Sequence, residues 1–273
     1  MDSLTLIHKP TDAMIWPVYL EALSVILAVA VVAWVASIAK RDVSFVDSLW
    51  SLFFLIAAGV FLPSEGPLSV RAILVFWLVA VWALRLSVYI TARNWGKPED
   101  YRYQQIRRNN SPGFAWKSLY IVFGLQALLA WIVAQSLLPA LQSPAQLTWL
   151  DGVAASLWCV GFVFEAGGDY QLSAFRRDPG NRGKVLDSSL WRLTRHPNYF
   201  GDFCIWWAFY LFSVSAGSWW TVASPLLMSV LLLKVSGVAM LEKTISDRRP
   251  GYAEYARRTN AFFPWPKRSR TAR

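Results

Sequence analysis

The chain has 273 residues, 55% of them apolar and 16% charged, with a mean hydropathy of +0.35, 16 tryptophans and a net charge of +10. That composition excludes an ordinary soluble domain, which covers one core with a polar coat, and it points to lipid as the solvent. Apolar runs of about 20 residues recur, the length a bilayer demands of a helix.

The first 16 residues lack a basic segment feeding an apolar stretch with a cleavage site, so no cleaved signal peptide is expected and the first span is itself the membrane signal. Hydropathy then predicts spans at 17–39, 43–62, 68–92, 116–141, 149–173, 199–213 and 219–242. None alternates with a period of two, so helices are favoured over a barrel. The expected fold is an all-α polytopic membrane protein with seven transmembrane helices. It forms one membrane domain over 1–273, with a short segment at 1–16 and a basic cytosolic tail at 243–273 packed on the mouth of a cavity. Cys159 and Cys204 lie inside apolar runs and are expected as packed side chains rather than a disulfide or metal site.

Lysine and arginine set the orientation. With seven spans, all of the 27 cations except Lys9, Arg71, Arg85 and Lys234 fall on one side. The excess of cations on cytosolic loops puts the N-terminus out and the C-terminus in. A multi-pass protein of a cytosol-facing membrane, such as a bacterial inner membrane, is expected, with the bilayer and an apolar small molecule as partners and no nucleic acid.

Ionisable residues at membrane depth are costly and therefore functional candidates. They are Glu21, Asp47, Arg85, Glu165, Asp169, Asp202, Lys234 and Glu242, of which Glu21 and Lys234 are expected to be structural. Glu165 and Asp169 are four apart, as are Asn198 and Asp202, so each pair occupies one helix face and the two faces could line a cavity. Between them runs RRDPGNRGK (176–184), glycine-rich and cationic, suited either to an anionic ligand or simply to solvent. RHPNY (195–199) opens the sixth span, where a helix N-terminus can hold phosphate or carboxylate, although His196 could equally cap or pack. The third loop reads RNWGKPEDYRY (93–103), in which Asn94 and Lys97 could address a phosphate or amide. There is no GxGxxG fingerprint, no His/Cys spacing for zinc and no serine elbow, so a metal site and acyl transfer are disfavoured.

Four blocks in order, VDSLW (46–50), 93–103, RHPNYFGD (195–202) and YAEYARRTNAFFP (252–264), resemble the DUF1295 group of the steroid 5-alpha-reductase-like superfamily. The resemblance covers nearly the whole chain, although an R-H-P-x-Y element also occurs in isoprenylcysteine carboxyl methyltransferases. It implies a seven-helix membrane enzyme that binds NADPH in a cytosol-facing cavity and reduces a carbon–carbon double bond conjugated to a ketone of a sterol-like lipid. Cofactor contacts are implied for Asn94, Lys97, Asp169, Arg176 or Arg177, Lys184, Asn198, Asp202 and Tyr255, and Arg195, His196, Tyr199 and Glu242 join them as candidates from the residues themselves. Lys97 departs from the arginine of that family's N-x-G-R-P element. The family's second-helix Gln-Glu pair is replaced by Asp47 and its third-helix tyrosine by Ala83. The catalytic candidates are therefore Asp47, protonated by burial so that it can donate, with Arg85 or Tyr89. Rival readings are a methyltransferase using S-adenosylmethionine and a non-enzymatic lipid-binding protein. The first would not need the phosphate-suited loops, and the second would not need carboxylates at depth.

Overall fold

The computed structural model describes residues 12–235 and 251–266. Among the described residues the chain is helical and contains no strand. In chain order the helices are α1 (Asp12–Lys40), α2 (Val46–Val60), α3 (Val70–Asn94), α4 (Tyr101–Asn109), α5 (Phe114–Ala134), α6 (Leu137–Gln142), α7 (Trp149–Arg177), α8 (Leu190–Leu193), α9 (Pro197–Ser215), α10 (Trp219–Lys234) and α11 (Tyr252–Arg258). Each of the seven expected spans coincides with helix, and the described part of the last ends at Val235. The expectation at Glu242 lies outside the described residues.

Four helices are long and apolar enough to cross a membrane: Trp16–Lys40 within α1, then α3, α5 and α7. They carry outward-facing apolar side chains such as Val32, Trp77, Val88 and Val163, which in water would be an aggregation hazard and in a bilayer face acyl chains. At 15 residues α2 reaches only about 22 Å, short of the ~30 Å hydrocarbon core, which is why its apolar character alone does not make it a full span.

Local chemistry sets the helix ends. The Ser69 hydroxyl caps α3 by accepting from Ala72 N–H at 3.1 Å. Thr148 and Asp151 form a reciprocal capping box at the start of α7, with Asp151 Oδ2 accepting from Thr148 N–H at 2.7 Å. α5 begins after Gly113, whose φ of +82° a side chain would strain, and residues 119–124 wind as a π-turn.

The chain divides into two compact units, one holding α1–α6 and the other α7–α11. In the first, Tyr19 and Trp131 stack at 4.2 Å while each donates to the other's backbone carbonyl, joining α1 to α5. Trp34 Nε1 donates to Ala115 O at 2.7 Å and the Ser51 hydroxyl to Ala83 O at 2.8 Å, so the buried polar atoms bridge helices instead of standing unmet in an apolar interior. In the second unit, α7 and α9 approach through glycine. A Cβ on Gly201 would lie 2.4 Å from Glu165 N and Gly161 O, and one on Gly161 would lie 2.6 Å from Gly201 O. Only glycine lets the two backbones meet there.

Candidate polar site of the first unit and the buried carboxylates of the second

The third loop does not run free between α3 and α5; its centre folds as α4, which lies over the start of α2. Asp100 caps α4 by accepting from Arg102 N–H at 2.9 Å, and its Oδ1 also receives Arg102 Nε at 3.0 Å. Arg102 Nη2 reaches Asp47 Oδ2 on α2 at 2.7 Å, so one guanidinium joins two carboxylates. The Tyr103 hydroxyl donates to Asp47 Oδ1 at 2.5 Å and accepts from Gln126 Nε2 of α5 at 2.9 Å. Tyr103 is 6% exposed, and burial first, then the neighbouring Asp47 carboxylate, push its pKa well above the ordinary range. Burial works against the charge on Arg102, but the Asp100 hydrogen bond and the Asp47 and Asp100 charges outweigh it, so its pKa is raised and it stays cationic. At Asp100 burial pushes the pKa up, yet the bonds and charge of Arg102 outweigh it and hold the carboxyl below its usual range.

A second clamp fixes the other side of α4. Glu99 accepts from Arg107 Nε and Nη2 at 3.0 and 2.7 Å and from Val43 N–H at 2.9 Å. Between the two clamps opens a cleft of about 340 Å³ lined by Ser44, Asn94, Lys97, Pro98, Glu99, Asp100, Tyr101 and Gln104. The sequence-predicted Asn94 and Lys97 therefore share this cleft. Lys97 Nζ donates to Arg93 O, and Asn94 Oδ1 accepts from Arg93 Nε at 3.2 Å. Gly96, with φ +70°, makes the turn between them.

Asp47 accepts in this arrangement, its two oxygens facing the Arg102 cation and the Tyr103 phenol. Sequence reasoning did not single out Arg102, Tyr103 or Gln126, which join Asp47 in this network. Arg85 is half-buried on α3 and Tyr89 carries the Arg93 guanidinium 5.8 Å from its ring centroid.

In the second unit Asn198 Nδ2 donates to Asp169 Oδ1 at 3.1 Å, so the two polar faces expected on α7 and α9 do meet. Glu165, Asp169 and Asp202 are all buried, and Glu165 lies at the glycine contact between α7 and α9. His196 is buried, its backbone N–H bonded to Thr194 Oγ1 at 3.2 Å and its ring stacked with Tyr199 at 5.7 Å. The loop at 178–184 is ordered by Asp178, which accepts from Gly180 N–H at 2.8 Å and from Asn181 Nδ2 at 3.1 Å, while Arg176, Arg177, Arg182 and Lys184 are exposed. Tyr255 of α11 donates to Trp191 O at 2.5 Å, and Arg195 N–H donates to Asn260 O at 2.9 Å, so the described part of the tail clasps the segment that carries RHPNY.

Helix composition and outward apolar faces point to an integral membrane protein, and its first unit holds a half-buried network of charged and polar groups that shares Asp100 with the lining of a cleft. The family model described as protein of unknown function (DUF1295) matches residues 33–259, so the chain belongs to the DUF1295 family. An uncharacterised protein of Schizosaccharomyces pombe is 26% identical over 270 residues, covering 85% of this chain and 76% of its own length. No solved structure matches.

Proposed function

We propose that the protein is a membrane reductase that uses NADPH to saturate a conjugated carbon–carbon double bond of a lipid enone of the steroid type. It is embedded as seven spans with the N-terminus out and its basic loops on the cytosolic side of a bacterial inner membrane or its equivalent. The observation that carries this reading is the donor arrangement at Asp47. Tyr103 Oη–H and Arg102 Nη2 converge on the carboxylate from two directions, at 2.5 and 2.7 Å. An enolate oxygen developing from an enone needs two such donors fixed before reaction, and to take them it displaces the Asp47 carboxylate that they now hold.

The donor chemistry of each unit suits a nucleotide. In the first, Asn94 and Lys97 line a cleft together with Glu99 and Asp100, where an amide and an ammonium can meet an amide or phosphate. In the second, exposed Arg176, Arg177 and Lys184 flank a loop already held by Asp178, so their cations are carried on an ordered turn. Bound NADPH supplies the hydride, which with one proton adds across the double bond. For Tyr103 Oη–H to hold the carbonyl oxygen it must exchange Asp47 Oδ1 for the substrate, while burial keeps the phenol protonated and Gln126 orients it.

Thermal stabilisation of the detergent-purified protein by NADPH, NADH and S-adenosylmethionine tests the reading, because a ligand that binds only the folded chain raises Tm. NADPH should raise it most. A rise with S-adenosylmethionine alone would replace the reductase with a lipid methyltransferase, and no rise with any of them would favour a lipid-binding protein without cofactor.

A further inference from the structure

The first unit has a step in it. Ser51 on α2 is level with Ala83 on α3, to whose carbonyl it donates; from there α3 runs on to Asn94 while α2 goes back only to Val46, so at ~1.5 Å per residue α3 overshoots the start of α2 by about 9 Å. Phe45, just ahead of α2, packs against Phe123 at 5.9 Å, and α5 begins at Phe114, about 13 Å beyond. The start of α2, with Asp47, therefore lies in a notch between taller neighbours, and α4 sits over it.

α4 is attached differently from the helices around it. Among the described residues its backbone packs closely against no other helix, and Tyr103 is its one buried side chain. What holds it is mainly polar reach. Arg102 and Tyr103 bond Asp47, and Gln126 bonds Tyr103. Glu99, just before α4, accepts from Val43 N–H, and Arg107 grips that carboxylate while also donating to Arg41 O at 3.4 Å. The segment is bounded by two glycines in left-handed conformation, Gly96 at φ +70° and Gly113 at φ +82°. A Cβ on either would meet nothing within 4 Å, so each glycine serves the backbone angle and not packing.

We propose that residues 97–112 are a lid, hinged at Gly96 and Gly113, that swings off the notch when Asp47 releases Arg102 and Tyr103. Hinges are the few positions that absorb a large change of φ and ψ, and a helix held by a handful of polar bonds opens more readily than one packed along its length. Both donors ride on the lid while Asp47 stays on α2. Opening is thus the motion by which a carbonyl, carboxylate or phosphate oxygen of an entering amphiphile takes the place of Asp47. The cleft already lies along the moving edge, with Ser44 and Asn94 on the fixed side and Lys97 to Gln104 on the lid. Any ligand with such an oxygen uses the lid in the same way, so the inference stands apart from the reductase reading.

The test uses the full chain in nanodiscs, with exposed Cys159 replaced by serine and buried Cys204 left in place. Nitroxides are attached at Gln105→Cys on α4 and at Val88→Cys on α3, and their separation is measured by pulsed electron spin resonance. The parent should give one dominant distance, and Asp47→Asn or Arg107→Gln should raise a second, longer population several-fold. Arg107→Gln leaves Asp47 intact and decides the matter if Asp47→Asn does not fold. A control pair at Val88→Cys and Leu128→Cys, on α3 and α5, should keep a single distance throughout. An unchanged Gln105–Val88 distance in the variants would overturn the latch. A second distance at the control pair as well would overturn the lid, by assigning the change to loosening of the whole unit.

Discussion

Replacing Asp47 with asparagine removes one charge while keeping the size of the side chain and an oxygen for Tyr103. The ion pair it breaks is partly screened, with side-chain exposures of 18% for Asp47 and 29% for Arg102. Arg102 also retains Asp100 at 3.0 Å, so the loss falls below the ~3–5 kcal/mol of a fully buried, orphaned charge. Weakening the Tyr103 bond from charge-assisted to neutral costs about 1 kcal/mol more. Together these amount to about 2 kcal/mol, which in a chain of this size lowers Tm by roughly 4–8 °C. Intrinsic tryptophan fluorescence during a thermal ramp measures it. Tyr103→Phe completes a double-mutant cycle, and the two changes should couple by about 1 kcal/mol because they share a hydrogen bond. A parental Tm for Asp47→Asn, or strictly additive effects in the double variant, would refute the network as a source of stability.

Asp100 makes a pH prediction. Its carboxyl is held below the ordinary value of about 3.9, so the stability it contributes is complete above that pH and is lost only as the solution is acidified through the folded-state value. The Tm difference between the parent and Asp100→Asn should be flat from about pH 5 to 8 and shrink below about pH 4; a difference that shrinks near neutrality would contradict the Arg102 assignment. Gly201→Ala on α9 places a methyl 2.4 Å from two backbone atoms and should destabilise by about 3 kcal/mol, whereas Gly152→Ala on α7, with nothing within 4 Å of the new methyl, should be neutral or slightly stabilising. Equal Tm values for the two variants would remove the close-packing account. Lys184→Ala should weaken NADPH more than NADH by titration if its ammonium meets the 2′-phosphate, and equal losses would reassign it to a solvated role.

The helices were legible because apolar runs bounded by caps and turns need no partner to be recognised, and Thr148 with Asp151 marks the start of α7 within four residues. The face pairing of Asp169 with Asn198 was legible from spacing alone, since a four-residue interval fixes which side chains share a helix face. α4 was not legible: YRYQQIRRN is polar, and what stabilises it is the Glu99–Arg107 clamp and the reach of Arg102 and Tyr103 to Asp47, 55 and 56 residues away. For the same reason Asp47 read as a lone acid at depth that burial would protonate, when distant partners make it an acceptor. The only local hint was Asp100 two residues before Arg102, a capping acid poised to orient a cation.

The glycine contact between α7 and α9 has a mechanical consequence. Where two helices meet through side chains, a layer of rotamers can rearrange and let one slide on the other; at Gly161 and Gly201 that layer is missing, and backbone rests against backbone. The pair should move as a single stiff rod. Any motion at this end of the second unit must then be taken up by the 178–189 loop and by the C-terminal clasp of Tyr255 on Trp191 and of Ala261 on Thr194, the pieces joined to the rod by a handful of hydrogen bonds. Amide exchange should find its slowest protons along the facing turns of these two helices and its fastest in that loop.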